Sequence, residues 1–165
     1  MRTFLRTAMF CLATFAIIVG TGTLVLGQVE LDHILSKVNG RIITQSDVNQ
    51  AKVLKLVPDT SSDEATRVAL ENRILMLGEV ARANGLSPTT DKDLGDRRAE
   101  WQRTVGDPQL LSRAGMTESG LDAWLKDDVR VRAYLDRQFA NIPEGDRARA
   151  IDEWVSRLRQ RAGLK

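Results

Sequence analysis

The residues able to do chemistry in this sequence are few. The chain has one histidine, His33, and one cysteine, Cys11. A Ser-His-Asp or Cys-His arrangement would have to use that histidine, and a zinc site needs several such ligands. Because His33 follows Asp32 just before a predicted strand, a surface or strand-edge histidine is the simpler interpretation. We therefore expect no catalytic residue, no metal ligand and no cofactor.

Neighbouring carboxylates are the next candidates for chemistry. They occur as Asp63/Glu64, Asp91/Asp93 and Asp127/Asp128. Glycosidase-type hydrolysis needs two carboxyl groups that face each other across a cleft with different pKa values. Sequence neighbours on a helix point in different directions, and the first two pairs fall in predicted first turns, where acids favour the helix dipole. Helix capping explains these pairs better than catalysis does.

Three tryptophans lie on three different predicted helices, and they raise the question of a binding groove. Core anchors are the simplest interpretation, since aromatic residues make up 5% of the chain. The alternative is that one or more lines a groove open to apolar peptide segments, as helical domains can bind amphipathic or extended chains. The candidate groove residues surround the segment with the weakest helical pattern. They are Trp101, Leu110, Leu111, Met116 and Trp124.

The surplus of positive charge lies at the start of the chain. There are 24 Lys+Arg against 22 Asp+Glu, a formal charge of +2, and Arg2 and Arg6 are the charged residues before Gln28. The residues from Gln28 onward are therefore formally neutral. A nucleic-acid-binding domain carries its excess positive charge in the folded part, so we expect no nucleic-acid partner.

Residues 1–27 have the layout of a secretory signal peptide. The two arginines precede an apolar run, and small or aliphatic residues, Val25 and Gly27, stand at the −3 and −1 positions before Gln28. The uncharged run over residues 7–27 is also long enough to cross a hydrocarbon core of about 30 Å. A membrane anchor that is not cleaved thus stays open as the alternative. In either case we expect residues 28–165 to be exported.

The elements that must position these residues are mostly helices. Two short apolar runs flank Asn39-Gly40, the strongest local signal for a tight β-hairpin, because both turn positions need positive φ. Helix starts are predicted at Thr44 or Ser46, Ser61, Thr90, Thr117 and Asp146, and ends near Val57, Gly85, Gly106, Asn141 and Ala162. A short helix or turn is predicted over residues 107–115. The pattern predicts a mainly α single domain, residues 28–165, with about five to six helices and a small N-terminal β-hairpin.

The segment ILSKVNGRIITQSDV, Ile34–Val48, resembles the start of the SurA-like family of exported chaperones. The similarity lies in Val38-Asn39-Gly40, Ile43-Thr44 and Ser46-Asp47-Val48. The segments ENRILMLGEVARANGL, GMTESGLDAWLKDDVRVRAYLDRQF and IDEWVSRLRQRAGLK follow in the family's order, so the resemblance covers about residues 31–165. It implies a periplasmic SurA N-terminal-type chaperone domain that includes a C-terminal helix over residues 146–162.

The chain departs from the family pattern in one respect. SurA-like proteins usually carry parvulin-type prolyl isomerase domains between the N-terminal helical module and the last helix. Here the predicted long helix ends close to the predicted start of the last one, which leaves no room for such a domain. We expect a non-catalytic holdase that binds unfolded or outer-membrane client polypeptides through an apolar groove. The alternatives are a prolyl isomerase, by family membership, and a membrane-anchored interaction subunit.

Overall fold

The computed structural model describes residues 32–58, 60–83, 88–107 and 109–164. The predicted leader, residues 1–27, lies outside these ranges, and so do the predictions about its cleavage or anchoring. The described elements are β1 (Ile34–Val38), β2 (Arg41–Thr44), α1 (Gln45–Val53), α2 (Asp63–Arg82), α3 (Asp91–Val105), α4 (Gln109–Arg113), α5 (Glu118–Gln138) and α6 (Glu144–Arg161). The predicted mainly α fold with a small N-terminal hairpin is confirmed.

The hairpin forms at the predicted Asn-Gly turn. Asn39 and Gly40 have φ values of 48° and 81°, the left-handed conformations that a two-residue turn requires. The strands pair antiparallel, with Val38 opposite Arg41. The inward side chains Val38 and Ile43 are both 2% exposed, because this face packs on α2.

Threonine side chains begin helices α1, α3 and α5 at local signals that the sequence displays. Thr44 and Thr90 form capping boxes with Asp47 and Asp93, in which each carboxylate accepts from the cap backbone N–H. Thr117 caps α5 as predicted, with its hydroxyl accepting from the Gly120 N–H. Each bond satisfies a backbone donor that the first helical turn leaves unpaired.

Some helix boundaries differ from the sequence prediction. Helix α1 ends at Val53 rather than near Val57, because Lys55 takes a φ of 48° and the Leu56 N–H bonds back to the Ala51 carbonyl at 2.9 Å. Helix α2 is capped by Ser62 rather than Ser61 and ends at Arg82 rather than at Gly85. Helix α6 begins at Glu144, just before the predicted Asp146.

The core is built around α2, which packs against α1, α5, α6 and both strands. One apolar cluster draws buried side chains from both strands and all six helices, among them Val48, Leu70, Leu121 and Leu158. A second cluster around Val80, Val131 and Tyr134 lies between α2, α5 and α6. Residues 31–165 form a compact unit that holds both clusters, so this part of the chain contains its own core.

No helix within the described ranges has the length and apolar composition of a membrane span.

Candidate functional site

An open groove lies between the α1–α2 connection and helices α2, α3 and α5. We call it the α2–α3–α5 groove. Its volume is about 470 Å³, within the range of roughly 300–1,000 Å³ that is typical of ligand clefts. The size is sufficient for a few side chains of an extended segment rather than for a folded element.

The floor of this groove is apolar and comes from four parts of the fold. It consists of Leu56, Val57, Ala69, Met76, Trp101 and Val131. Trp101 is 6% exposed, and its Nε1 donates to the Leu54 carbonyl at 2.9 Å, which fixes the indole against the turn after α1. The same turn places Leu56 and Val57 beside it. The floor is therefore held by the core and does not depend on mobile surface side chains.

The rim of the groove is charged, and its ions connect three helices. Asp128 on α5 accepts from Arg73 on α2 and from Arg97 on α3, with Arg97 Nη2 and Asp128 Oδ2 2.8 Å apart. Glu100 accepts from Arg132 at 2.9 Å and lies 3.3 Å from Arg97. Each carboxylate is thus shared between two guanidinium groups.

These ion pairs differ in burial and therefore in strength. The side chains of Arg73, Arg97 and Asp128 are 10–15% exposed, whereas those of Arg132 and Glu100 are 54% and 44% exposed. Water screens the exposed pair Arg132–Glu100, so this pair contributes little to stability. The inner cluster is partly desolvated, and burial lowers the pKa of the Arg73 guanidinium while Asp128 opposes that shift.

Arg73 also connects α2 to Trp124. Its guanidinium carbon lies 3.9 Å from the centre of the indole ring, and its Nη2 donates to the Trp124 carbonyl at 2.8 Å. The Trp124 Nε1 is buried and finds no acceptor among the described residues. Trp124 therefore packs beside the groove's inner cluster without lining the groove.

The structure distributes the five predicted groove residues over several places. Trp101 lines the α2–α3–α5 groove and, together with Leu111, a smaller cavity of about 200 Å³ between α3, α4 and α5. Trp124 lines a third cavity, of about 130 Å³, beside the hairpin. Leu110 and Met116 are half-buried and pack against the main core. Of the five, Trp101 lines the α2–α3–α5 groove and the other four do not.

Most residues that line the groove were not predicted, although their spacing in the sequence indicates which of them share a helical face. Arg97, Glu100 and Thr104 share one helical face with Trp101, and Asp128, Val131 and Arg132 share one face of α5. The spacing identifies each face separately. It does not say that the two faces meet, because that depends on how α3 and α5 pack.

The carboxylate pairs and the histidine are engaged in other ways. Asp63 pairs with Lys52, and its pKa is lowered by that hydrogen bond. Asp127 pairs with Arg130, whereas its neighbour Asp128 faces the groove cluster. His33 is exposed, and its backbone carbonyl accepts from the Gln45 N–H at 2.9 Å. Within the described ranges, His, Cys, Asp and Glu side chains do not group as a metal site requires.

The groove's side chains can bury apolar groups and attract charged ones, and they offer hydrogen-bond donors at the rim. No protein family, curated protein or solved structure matches this chain. The candidate site of this chain is the α2–α3–α5 groove, with its apolar floor and its charged rim.

Proposed function

We propose that this chain is an exported, non-catalytic holdase that binds unfolded or extended client polypeptides in the α2–α3–α5 groove. The observation that carries the proposal is the groove itself, an open trough whose apolar floor is fixed by the core. Apolar side chains of a client would contribute about 25 cal/mol for each Å² that they bury there. Because the groove has room for only a few side chains, each segment would bind weakly, which suits a chaperone that must release its clients.

The resemblance to SurA-like chaperones supports the same proposal. The string that carries it, Ile34–Val48, forms the hairpin and opens α1. Helix α5 connects to α6 through residues 139–143 alone, so no isomerase domain is inserted at that point. As part of this proposal, residues 1–27 direct export to the periplasm, and the clients are outer-membrane proteins in transit.

An aggregation assay tests the proposal. A β-barrel outer-membrane protein unfolded in urea is diluted into buffer with residues 28–165, which contain the whole compact unit. We expect light scattering to rise more slowly than it does without the chain. If the scattering curves coincide over a range of chain concentrations, the chain is not a holdase.

A pair of matched variants tests whether clients bind in the groove. Thr104 is an exposed residue that lines the groove. Thr104→Trp therefore puts a large side chain over the floor without disturbing the core. Ala99 is an exposed residue of the same helix that does not line the groove, so Ala99→Trp is the control. We expect the first variant to lose protection and the second to keep it. Equal protection by both would place client binding elsewhere.

A peptide assay tests the non-catalytic part of the proposal. The purified chain is added to a standard proline-containing peptide whose cis/trans isomerisation is followed by absorbance. We expect the uncatalysed time constant, which is about tens to hundreds of seconds at 25 °C. A rate that rises in proportion to the chain's concentration would show an isomerase instead.

A further inference from the structure

We propose that the α2–α3–α5 groove selects polypeptide segments in which a carboxylate side chain lies next to apolar ones, and that the rim residues Arg132 and Lys55 receive this carboxylate. The inference rests on the proposed function, because it presumes that the groove binds polypeptide. It adds the chemical class of the preferred segment.

The charges that line the groove do not balance. Four cationic side chains, Lys55, Arg73, Arg97 and Arg132, face two carboxylates, Asp128 and Glu100, so the described lining carries a net charge of +2. The sequence from Gln28 onward is formally neutral as a whole. Positive charge is therefore concentrated at the groove and is offset elsewhere on the domain.

The excess charge is accessible from the groove's open side. Lys55 Nζ has a carbonyl as its partner, the Thr104 oxygen at 3.5 Å, and no ion pair joins it to another described residue. Arg132 shares Glu100 with Arg97 and is 54% exposed. Both side chains can thus reach an added carboxylate without losing the contacts that hold α3 and α5 together.

The inner cluster strengthens the preference. Asp128 is shared between Arg73 and Arg97, so this partly buried group carries a net positive charge in surroundings where water screens less. A nearby carboxylate would offset this charge, whereas a lysine or arginine of a client would be repelled.

The apolar floor of the groove determines which class of negatively charged partner fits. A free anion or a phosphate backbone would meet the rim but would make no use of the apolar floor, which includes Ala69 and Met76. A segment with an Asp or Glu beside apolar residues uses both parts of the groove. The observations therefore favour a polypeptide of this composition over a small anion.

Three labelled peptides test the preference by fluorescence anisotropy with residues 28–165. They share one length and one apolar centre and differ in flanking residues, which are Glu, Gln or Lys. We expect the Glu peptide to bind up to about fivefold more tightly than the Gln peptide, the scale of an exposed ion pair. The Lys peptide is expected to bind most weakly, and the differences should shrink as salt is added.

Charge-reversal variants connect the preference to the rim. Arg132→Glu and, independently, Lys55→Glu are expected to reduce the ratio between the Glu and Lys peptides or to invert it. Arg149→Glu is the control, because Arg149 lies on α6 in an exposed ion pair with Asp146 and does not line the groove. We expect this control to keep the ratio of the unchanged chain.

The possible failures can be told apart. If none of the three peptides binds, the proposed function falls and the selectivity falls with it. If all three bind equally, the polypeptide-binding function stands and the acidic preference is wrong. If the preference survives both Arg132→Glu and Lys55→Glu, the carboxylate is recognised elsewhere and the assignment to this rim is wrong.

Discussion

Glu71 is a buried carboxylate whose neutralisation should destabilise the domain. It lies on α2, is 0% exposed, and accepts hydrogen bonds from Arg67 on the same helix and from Arg159 on α6. Arg159 Nη1 is 3.0 Å from Glu71 Oε2 and also 3.0 Å from Asn72 Oδ1. Glu71→Gln keeps the shape of the side chain, removes its charge, and turns an amide N–H group toward a guanidinium.

The loss of unfolding free energy depends on which partners Arg67 and Arg159 keep in the Glu71→Gln variant. Breaking a buried ion pair by neutralising one partner costs about 3–5 kcal/mol. Arg67 keeps its pairing with Glu64, with Nε and Oε2 2.9 Å apart, so part of the loss is offset there. We therefore expect the lower end, about 3 kcal/mol of unfolding free energy, which is a large part of the roughly 5–15 kcal/mol of a typical domain. The loss falls mainly on the contact between α2 and α6.

Urea unfolding of residues 28–165, followed by circular dichroism, measures this cost. The control is Glu153→Gln, because Glu153 is an exposed glutamate of α6. We expect the control to unfold within about 0.5 kcal/mol of the unchanged chain. If Glu71→Gln lost less than about 1 kcal/mol, the ion cluster would not hold α6 in place, and the reasoning would be refuted.

Three further predictions concern local features of the fold. Thr90→Ala removes the capping box with Asp93 and should cost about 1 kcal/mol in urea unfolding; no change would mean that the start of α3 needs no cap. Trp101→Phe deletes the donor to the buried Leu54 carbonyl and should cost about 1–3 kcal/mol by the same measurement; an unchanged midpoint would contradict that bond. Acid should destabilise the domain, because hydrogen bonds lower the pKa of several carboxyl groups when the chain folds. These groups are Asp32, Asp63, Glu64, Asp93 and Glu100. The stability that these groups contribute is complete above their unfolded-state pKa values and is lost as the pH falls below about 4. The urea midpoint should therefore be lower at pH 3 than at pH 7, and equal midpoints would refute this.

The features that the sequence predicted are those with local causes. Asn39-Gly40 forms its turn because two adjacent residues adopt positive φ, and Thr90 begins α3 because its hydroxyl reaches the N–H of Asp93. Gly106 ends the same helix in a left-handed conformation, as its lack of a side chain allows. Each of these needs information from no more than a few neighbouring residues.

The features that were missed depend on residues far apart in the chain. Glu71 lies in a helical segment where an acidic residue would be expected to face solvent, and its burial depends on Arg159 in the last helix. The groove likewise depends on α3 and α5 packing side by side, which the partly buried pair Arg97–Asp128 helps to fix. The sequence contains both partners of each pair and does not show that they meet.

The central claim is that the α2–α3–α5 groove holds extended polypeptide. NMR titration of isotope-labelled residues 28–165 with the Glu-flanked apolar peptide tests it most directly. We expect the largest shift changes at Val57, Ala69, the Trp101 indole and Val131, with little change at Ile42, which is 49% exposed on the outer face of the hairpin. Shifts centred on the hairpin or on α6, with unchanged Trp101 and Val131 signals, would contradict the claim.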